Sequence, residues 1–278
     1  MKNARAIYKE SVEAIAETFG LGEAEQLINI AFEDALGISR IDRQTKNPLL
    51  DEIQTSLLAD IQRRLLSHEP IQQIVGKAQF FGYEFAINQH CLIPRPETEE
   101  LVQLVIDNVK EPSRILDIGT GSGCIPIALK KSLQESIVSA IDISREALDL
   151  ARKNAKKLTV EIDFQLKDIL LEDLDKKYNV IVSNPPYIPF SDKNQMSQNV
   201  LEYEPEIALF VANEDPLIFY RRIAALGRNH LFPNGQLFFE THENYGQEVA
   251  SLLADLNYQT IKILQDLNGK ERMISARF

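Results

Sequence analysis

The chain has 278 residues, 44% of them hydrophobic and 26% charged, a composition typical of a globular protein with a sizeable core. Its 41 acidic residues outnumber 30 lysines and arginines, and the resulting net charge of −11 argues against broad nonspecific contact with nucleic acids or anionic membranes. The two cysteines, Cys91 and Cys124, lie far apart without metal-like spacing, and no apolar run suits a membrane span or a signal sequence. These features predict a cytoplasmic protein without a metal site.

Residues 1–75 have helical periodicity and predict a small helical bundle. Apolar residues fall on one face in each of two segments, namely Leu27, Ile28, Ala31, Phe32 and Leu36, and then Ile53, Leu57, Leu58, Ile61 and Leu65. Asn47-Pro48 predicts a helix N-cap followed by proline at the first helical position. The bundle has no catalytic constellation of its own. It could recognise a partner or merely stabilise the rest of the chain, and the sequence leaves both roles open.

Residues 76–97 predict a β-hairpin that links the bundle to a second domain. Gln79–Leu92 alternates between polar and apolar residues and carries aromatic side chains around Gly82, which could form core or contact a substrate. The stiff turn Ile93–Glu99 then opens a helix over Thr98–Val109. Its glutamates suit the positive end of the helix dipole.

A glycine-rich turn follows the first strand of the second domain, residues 98–278. The strand covers Ser113–Ile118, and the turn is Gly119-Thr120-Gly121-Ser122-Gly123, before a helix to about Ser132. Glycines at a strand-to-helix turn let the backbone curl tightly and approach a ligand. The spacing matches neither the dinucleotide fingerprint nor the P-loop. The turn alone is compatible with a nucleotide-like cofactor or with a purely structural role.

Acidic residues stand at the ends of the next two strands. Asp142 follows the strand Ile137–Ile141, where its carboxylate could hold two ribose hydroxyls. Asp168 follows the strand Val160–Leu166 and could accept a hydrogen bond from an adenine amino group or cap a turn. The glycine turn and Asp142 together are more specific than either alone.

Asn184-Pro185-Pro186-Tyr187 follows the apolar strand Tyr178–Ser183. The prolines cannot donate backbone hydrogen bonds, and a residue before proline is held extended, so Asn184 is expected to sit rigidly at the strand end. Its carboxamide and the Pro185 carbonyl could accept both hydrogens of a planar NH2 group, with the Tyr187 ring over its flat face. An ordinary Pro-Pro turn is the structural alternative.

The remaining pattern predicts how these strand ends meet. Residues after Tyr187 as far as Asp215 are predicted to be loop-like and could form a lid. The later predicted elements are a helix from Pro216 to about Gly227, strand Gly235–Thr241, helix Asn244–Leu256, and strands Gln259–Leu264 and Met273–Phe278, the last two antiparallel. Alternating strands and helices imply a mostly parallel sheet. In such a sheet ligands bind beyond the carboxyl ends of the strands, so the candidate residues converge there.

Six sequence motifs together resemble a known enzyme family along nearly the whole chain. Asp117–Ile125 resembles motif I of the S-adenosylmethionine-dependent methyltransferases, and Asn184–Tyr187 resembles the motif of those that methylate planar nitrogen. The further motifs resemble the HemK/PrmC family and are Glu69–Gln72, Ile93–Glu99, Glu204-Pro205 with Ala208-Leu209, and Gly269–Arg272. Members methylate the side-chain amide nitrogen, N5, of the glutamine in the Gly-Gly-Gln loop of class I peptide chain release factors.

This resemblance implies a class I methyltransferase fold, which is a Rossmann-like, seven-stranded, mostly parallel sheet with an antiparallel last strand, preceded by a helical N-terminal domain. It implies S-adenosylmethionine as cofactor, with S-adenosylhomocysteine as product, and a release factor as partner. We expect the enzyme to be a monomer. The implied cofactor contacts are Gly119, Thr120, Gly121, Ser122, Gly123, Asp142 and Asn184, and the strand-end residues Asp168 and Ile169 are further candidates. The implied catalytic and substrate contacts are Asn184, Pro185, Pro186 and Tyr187. Family members often have an aromatic residue near adenine where this chain has Ile169, which offers apolar contact only.

Two other functions are compatible with parts of this pattern. An adenine-N6 nucleic-acid methyltransferase uses the same Asn-Pro-Pro-Tyr logic on a flipped base, but the acidic composition and the lack of a Lys/Arg tract disfavour it. A catalytically silent binding module is disfavoured by the intact Asn184 and the acidic strand ends. Glu240 and His242 near the fifth strand could be an acid–base pair or a structural polar cluster.

Overall fold

The computed structural model describes residues 2–110 and 112–278. The helices, in chain order, are α1 (Ala4–Phe19), α2 (Leu21–Ile30), α3 (Arg40–Thr45), α4 (Glu52–Leu66), α5 (Ile71–Val75), α6 (Pro96–Asn108), α7 (Cys124–Ser132), α8 (Arg145–Lys157), α9 (Gln198–Tyr203), α10 (Ile218–His230) and α11 (Gly246–Asp255). The strands are β1 (Lys77–Phe80), β2 (Tyr83–Ala86), β3 (Arg114–Ile118), β4 (Ile137–Asp142), β5 (Asp163–Leu166), β6 (Tyr178–Ser183), β7 (Ile188–Pro189), β8 (Phe210–Val211), β9 (Leu231–Glu240), β10 (Gln259–Gln265) and β11 (Glu271–Arg277). Among the described residues, none of the helices has the length and hydrophobicity that crossing a bilayer requires.

The chain divides into two compact units. The first extends to Lys77 and also contains Ser197–Tyr203, while the second comprises Ala78–Met196 and Glu204–Phe278. Helix α9 therefore belongs to the helical unit, although it lies within the range predicted for the catalytic domain. Within the helical unit, the Tyr203 hydroxyl donates a hydrogen bond to the Ser67 carbonyl at 2.9 Å. The hairpin predicted as a linker belongs to the second unit from Ala78 onward.

The helical unit is built around one apolar core. Ile28, Ala31 and Phe32 are buried in it, as the periodicity of the first segment predicted. The prediction for α4 is wrong at Ile53 and Leu57, which are 79% and 40% exposed. Each i to i+4 step turns a helix by about 40°, so residues near its start rotate away from the face buried further along. The buried face of α4 consists of Leu58, Ile61 and Leu65.

Helix α4 begins later than predicted. Asn47 is not its N-cap, because Asn47 has a φ of 44° and its Oδ1 accepts from the Arg5 amide at 3.0 Å. Asp51 caps the helix instead. Its side chain accepts from the Gln54 amide at 2.7 Å, and the Gln54 side chain accepts from the Asp51 amide at 3.2 Å. This reciprocal capping box satisfies two of the donors that a helix start leaves free.

The second unit contains a seven-stranded sheet in the order β10-β11-β9-β6-β3-β4-β5. Strand β11 is antiparallel to both of its neighbours, whereas the pairs formed by β9, β6, β3, β4 and β5 are parallel. The predicted mostly parallel sheet with an antiparallel last strand is confirmed. From β3 the chain first builds outward through β4 and β5, then returns to add β6 on the other side of β3. This reversal creates a crevice at the carboxyl ends of β3 and β6.

Apolar side chains cover both faces of this sheet. Val180 and Val182 of β6 belong to one core cluster, while Ile181 belongs to another, as expected for a parallel strand buried on both sides. The hairpin of β1 and β2 contributes Phe80 and Phe85 to the first cluster, with ring centroids 6.0 Å apart. These two aromatic side chains are therefore core.

The segment between Tyr187 and Asp215 is more ordered than predicted. Strands β7 and β8 pair in parallel, and a 3-10 helix covers Phe190–Gln195. Phe190 stacks on Phe210 with centroids 5.0 Å apart, so ring packing supports a region whose sequence lacks helical or strand periodicity. The prediction of one long loop is wrong.

Replacing Asp51 with alanine should lower the free energy of unfolding by about 1 kcal/mol, because the amides at the start of α4 lose their cap. Urea titration followed by helical circular dichroism measures the loss. Asp51→Asn keeps a capping oxygen and should lose less than half as much. Equal losses in both variants would contradict the cap.

Candidate active site

A cavity of about 280 Å³ opens where the carboxyl ends of the parallel strands meet. The sequence-predicted residues that line it are Gly119, Thr120, Gly121, Ser122, Asp142, Asp168, Ile169, Asn184, Pro185 and Pro186. Gly123 and Tyr187 are not part of its lining. The structure thus brings most of the predicted residues to one place, with two exceptions that have separate physical roles.

The glycine turn is fastened to the end of β4. The amides of Gly119 and Thr120 both donate to the Ile141 carbonyl, at 2.9 and 3.1 Å. Gly121 has a φ of 54°, a backbone conformation that favours glycine, and it lines the cavity. Gly123, with a φ of 81°, is the N-cap of α7, and a Cβ there would lie 3.0 Å from the Ala151 Cβ. Its lack of a side chain lets α7 pack against α8.

Asp142 joins the glycine turn to the start of α8. Its Oδ2 accepts from the Gly121 amide at 2.8 Å, and its Oδ1 accepts from the Ser144 amide at 2.9 Å. Burial raises the pKa of this carboxyl, and the backbone donors act in the opposite direction. A carboxylate offers about four acceptor positions. Asp142 can therefore accept further hydrogen bonds from a ligand in the cavity.

Asp168 and Ile169 form another part of the wall. Asp168 Oδ1 accepts from the Leu170 amide at 2.9 Å, so this side chain caps a turn while also lining the cavity. Ile169 is buried, and it lines the cavity together with Phe219 and Ile223. The wall is therefore apolar next to a single carboxylate.

Asn184 lies directly after β6 at the cavity edge. Its Nδ2 donates to Thr98 Oγ1 at 3.2 Å, and the Thr98 hydroxyl donates to Glu240 Oε2 at 2.6 Å. Because that hydroxyl has only one hydrogen, it can only accept from Asn184. The Asn184 Oδ1 remains free of hydrogen bonds to the described residues. An amide oxygen at a cavity edge is an acceptor for an incoming N–H group.

Tyr187 lies outside the cavity lining and points its hydroxyl elsewhere. The hydroxyl donates to Glu240 Oε1 at 3.4 Å, and the ring meets His242 edge-on with centroids 5.9 Å apart. Burial and the nearby Glu240 raise the pKa of Tyr187. The tyrosine is therefore neutral and is held by the same carboxylate as Thr98.

The hydrogen bonds that connect Asn184, Thr98 and Glu240 were not predicted from the sequence. Glu240 is only 3% exposed, and burial raises its pKa to about 7 against the lowering effect of the Thr98 hydrogen bond. His242 Nδ1 accepts from the Asn244 amide at 3.2 Å, and no hydrogen bond joins His242 to Glu240 among the described residues. The geometry therefore gives no direct contact between the two side chains that would support an acid–base couple. Membership of Thr98 in the motif Ile93–Glu99 was the signal available in the sequence.

Glu204 connects two motifs that are far apart in the sequence. Its Oε2 accepts from the Ile93 amide at 3.1 Å, and its other oxygen pairs with the Arg95 guanidinium. The carboxylate is buried while Arg95 lines the cavity. This ion pair fixes the turn that precedes α6 and hence the position of Thr98.

The groups that line the cavity can be compared with the parts of S-adenosylmethionine. A backbone cradle at Gly119–Gly121, an acceptor for hydroxyls at Asp142 and an apolar wall at Ile169 suit an amino-acid tail, a ribose and an adenine, respectively. Thr120 and Ser122 are buried and add hydroxyl groups to the cavity lining. Cys91 and Cys124 also line the cavity, and burial raises their pKa values to about 11 and about 12, so both remain neutral thiols. The residues present fit this cofactor.

Asp117, two residues before the glycine turn, has a fully buried carboxyl group next to the Thr120 hydroxyl. Burial raises its pKa to about 7. The folded protein therefore keeps a proton on this group that the unfolded chain releases at lower pH. Its contribution to stability is present below the unfolded pKa and is lost as the pH rises toward 7.

Asp117→Asn, which removes this titration, should stabilise the protein relative to wild type by on the order of 1–3 kcal/mol at pH 8, with a much smaller difference at pH 4.5. Urea unfolding of both proteins at the two pH values measures the difference. A difference that does not change with pH would show that Asp117 does not titrate in this way.

Residues 97–204 match the family model of the methyltransferase small domain. The release factor glutamine methyltransferase of Bacteroides thetaiotaomicron is 42% identical and aligns over 95% of this chain and 96% of its own. The protein of the same name from Flavobacterium psychrophilum is 44% identical over 96% of both chains.

A solved methyltransferase structure from Pyrococcus furiosus, 16% identical, matches with a TM-score of 0.55 over 79% of this chain and 98% of its own. At that identity the likeness supports the fold alone, which is the class I methyltransferase fold. The similarity to the curated relatives extends through both units of the chain. The protein therefore belongs to the family of release factor glutamine methyltransferases, as the resemblance to the HemK/PrmC family predicted.

Proposed function

We propose that this protein transfers the methyl group of S-adenosylmethionine to the N5 side-chain nitrogen of the glutamine in the Gly-Gly-Gln loop of class I peptide chain release factors. Membership of the family supports the reaction and the substrate. The structural observation that carries the proposal is the Asn184 carboxamide, whose Nδ2 is engaged by Thr98 while Oδ1 stays free of the described residues. An acceptor held in this way is suited to an amide NH2 group.

We assign the cofactor contacts to the residues that line the cavity. When bound, S-adenosylmethionine supplies an electrophilic methyl group on a positively charged sulfur. The backbone of Gly119–Ser122 would hold its amino-acid portion, Asp142 would accept from the ribose hydroxyls, and Asp168 with Ile169 would contact adenine. Gly123 would act indirectly, through the packing of α7 that its conformation permits.

The substrate nitrogen needs orientation more than it needs a base. An amide nitrogen is a poor nucleophile because its lone pair is delocalised into the carbonyl. Asn184 Oδ1 and the Pro185 carbonyl would accept its two hydrogens and aim the nitrogen at the methyl group. The same acceptors strengthen as positive charge develops on the nitrogen, which lowers the barrier. A proton then leaves to water.

The two remaining residues of the motif have supporting roles in the proposal. Pro186 lines the cavity and helps to keep the chain extended after Asn184. Tyr187 would cover the flat face of the substrate amide and exclude water. Its hydrogen bond to Glu240 places the ring beside the cavity rather than in its wall, so the substrate would have to reach the ring.

We further propose that the enzyme acts as a cytoplasmic monomer and that residues 1–75 recognise the release factor. Ile53 and Leu57 lie one turn apart on α4 and are both exposed, and this adjacent apolar pair supports a role in protein recognition. The net charge of −11 favours a protein partner over a direct nucleic-acid substrate. Steep salt dependence of binding to a polynucleotide would instead favour the adenine-N6 alternative.

The activity is tested by incubating the protein with methyl-labelled S-adenosylmethionine and an intact class I release factor. Label should enter the release factor and disappear when its loop glutamine is replaced by alanine. Polynucleotides in parallel reactions should remain unlabelled. Label in the polynucleotide but not in the release factor would overturn the proposal.

Asn184→Ala should raise the barrier to methyl transfer by about 2–4 kcal/mol, as loss of a positioned hydrogen-bonding group at a reacting centre does. Cofactor affinity should change far less. Single-turnover rates and calorimetric titration with S-adenosylhomocysteine measure the two effects. Asn194→Ala, at an exposed asparagine of the second unit, is the matched control and should behave as wild type. A wild-type rate in Asn184→Ala would reject the assignment.

Asp142→Ala should have the opposite profile and weaken cofactor binding by about 10–100-fold, since a charged acceptor and the anchor of the glycine turn are both lost. Calorimetry with S-adenosylhomocysteine measures the dissociation constant. Asp149→Ala, at an exposed aspartate of α8, controls for loss of negative charge. An unchanged dissociation constant in Asp142→Ala would remove Asp142 from the ribose site.

A further inference from the structure

A chain of hydrogen bonds leads from Asn184 into the interior of the second unit. Asn184 Nδ2 donates to Thr98 Oγ1 at 3.2 Å, and Thr98 donates to Glu240 Oε2 at 2.6 Å. Strand pairing explains the convergence, because Ser183 of β6 lies beside Phe239 of β9. Asn184 and Glu240 therefore follow at the same level of the sheet, and α6 supplies Thr98 between them.

The Glu240 carboxylate, at the end of this series of hydrogen bonds, determines the direction of each of them. An ionised carboxylate can only accept, so it takes the single hydrogen of the Thr98 hydroxyl. The hydroxyl oxygen is then an acceptor for Asn184, and the side of the carboxamide that faces it must be the NH2 group. The oxygen of Asn184 is consequently turned away from Thr98. Without this chain, a carboxamide could rotate by 180° and present a donor in place of its acceptor.

Glu240 also holds the other polar side chain of the same motif. Its Oε1 accepts from the Tyr187 hydroxyl at 3.4 Å, while its backbone carbonyl accepts from the Tyr220 hydroxyl at 3.1 Å. One buried carboxylate thus contacts Tyr187 directly and Asn184 through Thr98. Neither contact requires Glu240 to touch the cavity.

We propose that Glu240 and Thr98 are positioning residues for methyl transfer: they fix the Asn184 carboxamide with its oxygen toward the substrate NH2 group, and Glu240 holds Tyr187 beside it. This inference rests on the proposed function and names residues of that site beyond the motif itself. A flipped Asn184 would set its NH2 group against the NH2 group of the substrate. Two donors facing each other cannot form the hydrogen bond that orients the nitrogen.

The orientation of the Asn184 carboxamide depends on the protonation state of Glu240. Burial raises its pKa to about 7, Glu97 acts in the same direction, and Arg272 and the hydroxyl hydrogen bonds lower it. A protonated Glu240 could donate to Thr98, whose own hydrogen would then be free to meet the Asn184 oxygen. Tyr187 and Tyr220 stay neutral because burial raises their pKa values. The expected turnover therefore falls as the pH drops through about 7.

Thr98→Val tests the chain directly, because valine matches the shape of threonine but lacks the hydroxyl. We expect kcat for the release factor to fall by about 10–100-fold, as misorientation of a reacting group does. The dissociation constant for S-adenosylhomocysteine should change little, whereas the melting temperature should fall, because valine leaves the buried Glu240 oxygen without its donor. Thr98→Ser restores the hydroxyl and should recover activity to within about threefold.

Thr241→Val is the matched control. Thr241 follows Glu240 directly, is buried, and has a hydroxyl without a hydrogen-bond partner among the described residues. Its replacement should leave kcat unchanged. If Thr98→Val were as active as Thr241→Val, the positioning role would be overturned while the proposed function stood. If wild type failed to methylate the release factor at all, the proposed function itself would be overturned.

The pH profile of kcat separates a positioning role from a merely structural one, because a structural role would leave the profile unchanged. Wild-type turnover, measured between pH 5.5 and 8.5 at saturating substrates, should decline on the acid side with a midpoint near 7. Glu240→Gln should lower turnover at pH 8 and lose most of this decline. Asp117 also has a pKa of about 7 but is unchanged in this variant, so the loss of the decline would be due to Glu240. An identical profile in wild type and Glu240→Gln would overturn the role of Glu240.

Discussion

The parallel pairing of β3 with β4 and β6 is the constraint on which the site depends. Ile118 lies beside Ile141 on one side and beside Ser183 on the other. Because all three strands point the same way, the residues that follow them must leave the sheet at one edge. The glycine turn and Asn184 are those residues, and Asp142 is the last residue of β4, so their convergence needs no long-range contact beyond the sheet itself.

Three of the short motifs, Ile93–Glu99, Glu204-Pro205 and Asn184–Tyr187, are connected by hydrogen bonds. Glu204 accepts from the backbone of Ile93 and pairs with Arg95, which fixes the turn before α6. The first turn of α6 carries Thr98, the partner of Asn184. Glu204 is 111 residues from Ile93 in the sequence. Its contacts thus help to set the geometry of the Asn184 carboxamide at the cavity edge. Residues far from a reacting centre can matter in this way because small displacements there are costly.

Most of the second unit could be predicted because its signals are local. Apolar strands and the glycine-rich turn after β3 each depend on a few adjacent residues. Thr98 and Glu240 could not be paired from the sequence, since 142 residues separate them and neither type alone indicates a buried hydrogen bond. The start of α4 was misplaced because Asn47-Pro48 and Asp51 with Gln54 are both plausible caps. Only the competition between them, settled by the contact of Asn47 with Arg5, decides which one forms.

Directionality explains why a buried carboxylate is useful behind a carboxamide. A carboxamide has nearly the same shape in its two flipped orientations, so packing alone selects weakly between them. Hydrogen-bond polarity selects strongly, because a donor set against a donor leaves both groups unsatisfied. A hydroxyl can donate to one neighbour or accept from another. It selects a donor on the neighbouring group only if its own hydrogen is already donated elsewhere. An ionised carboxylate makes that commitment, and its burial keeps water from competing for it.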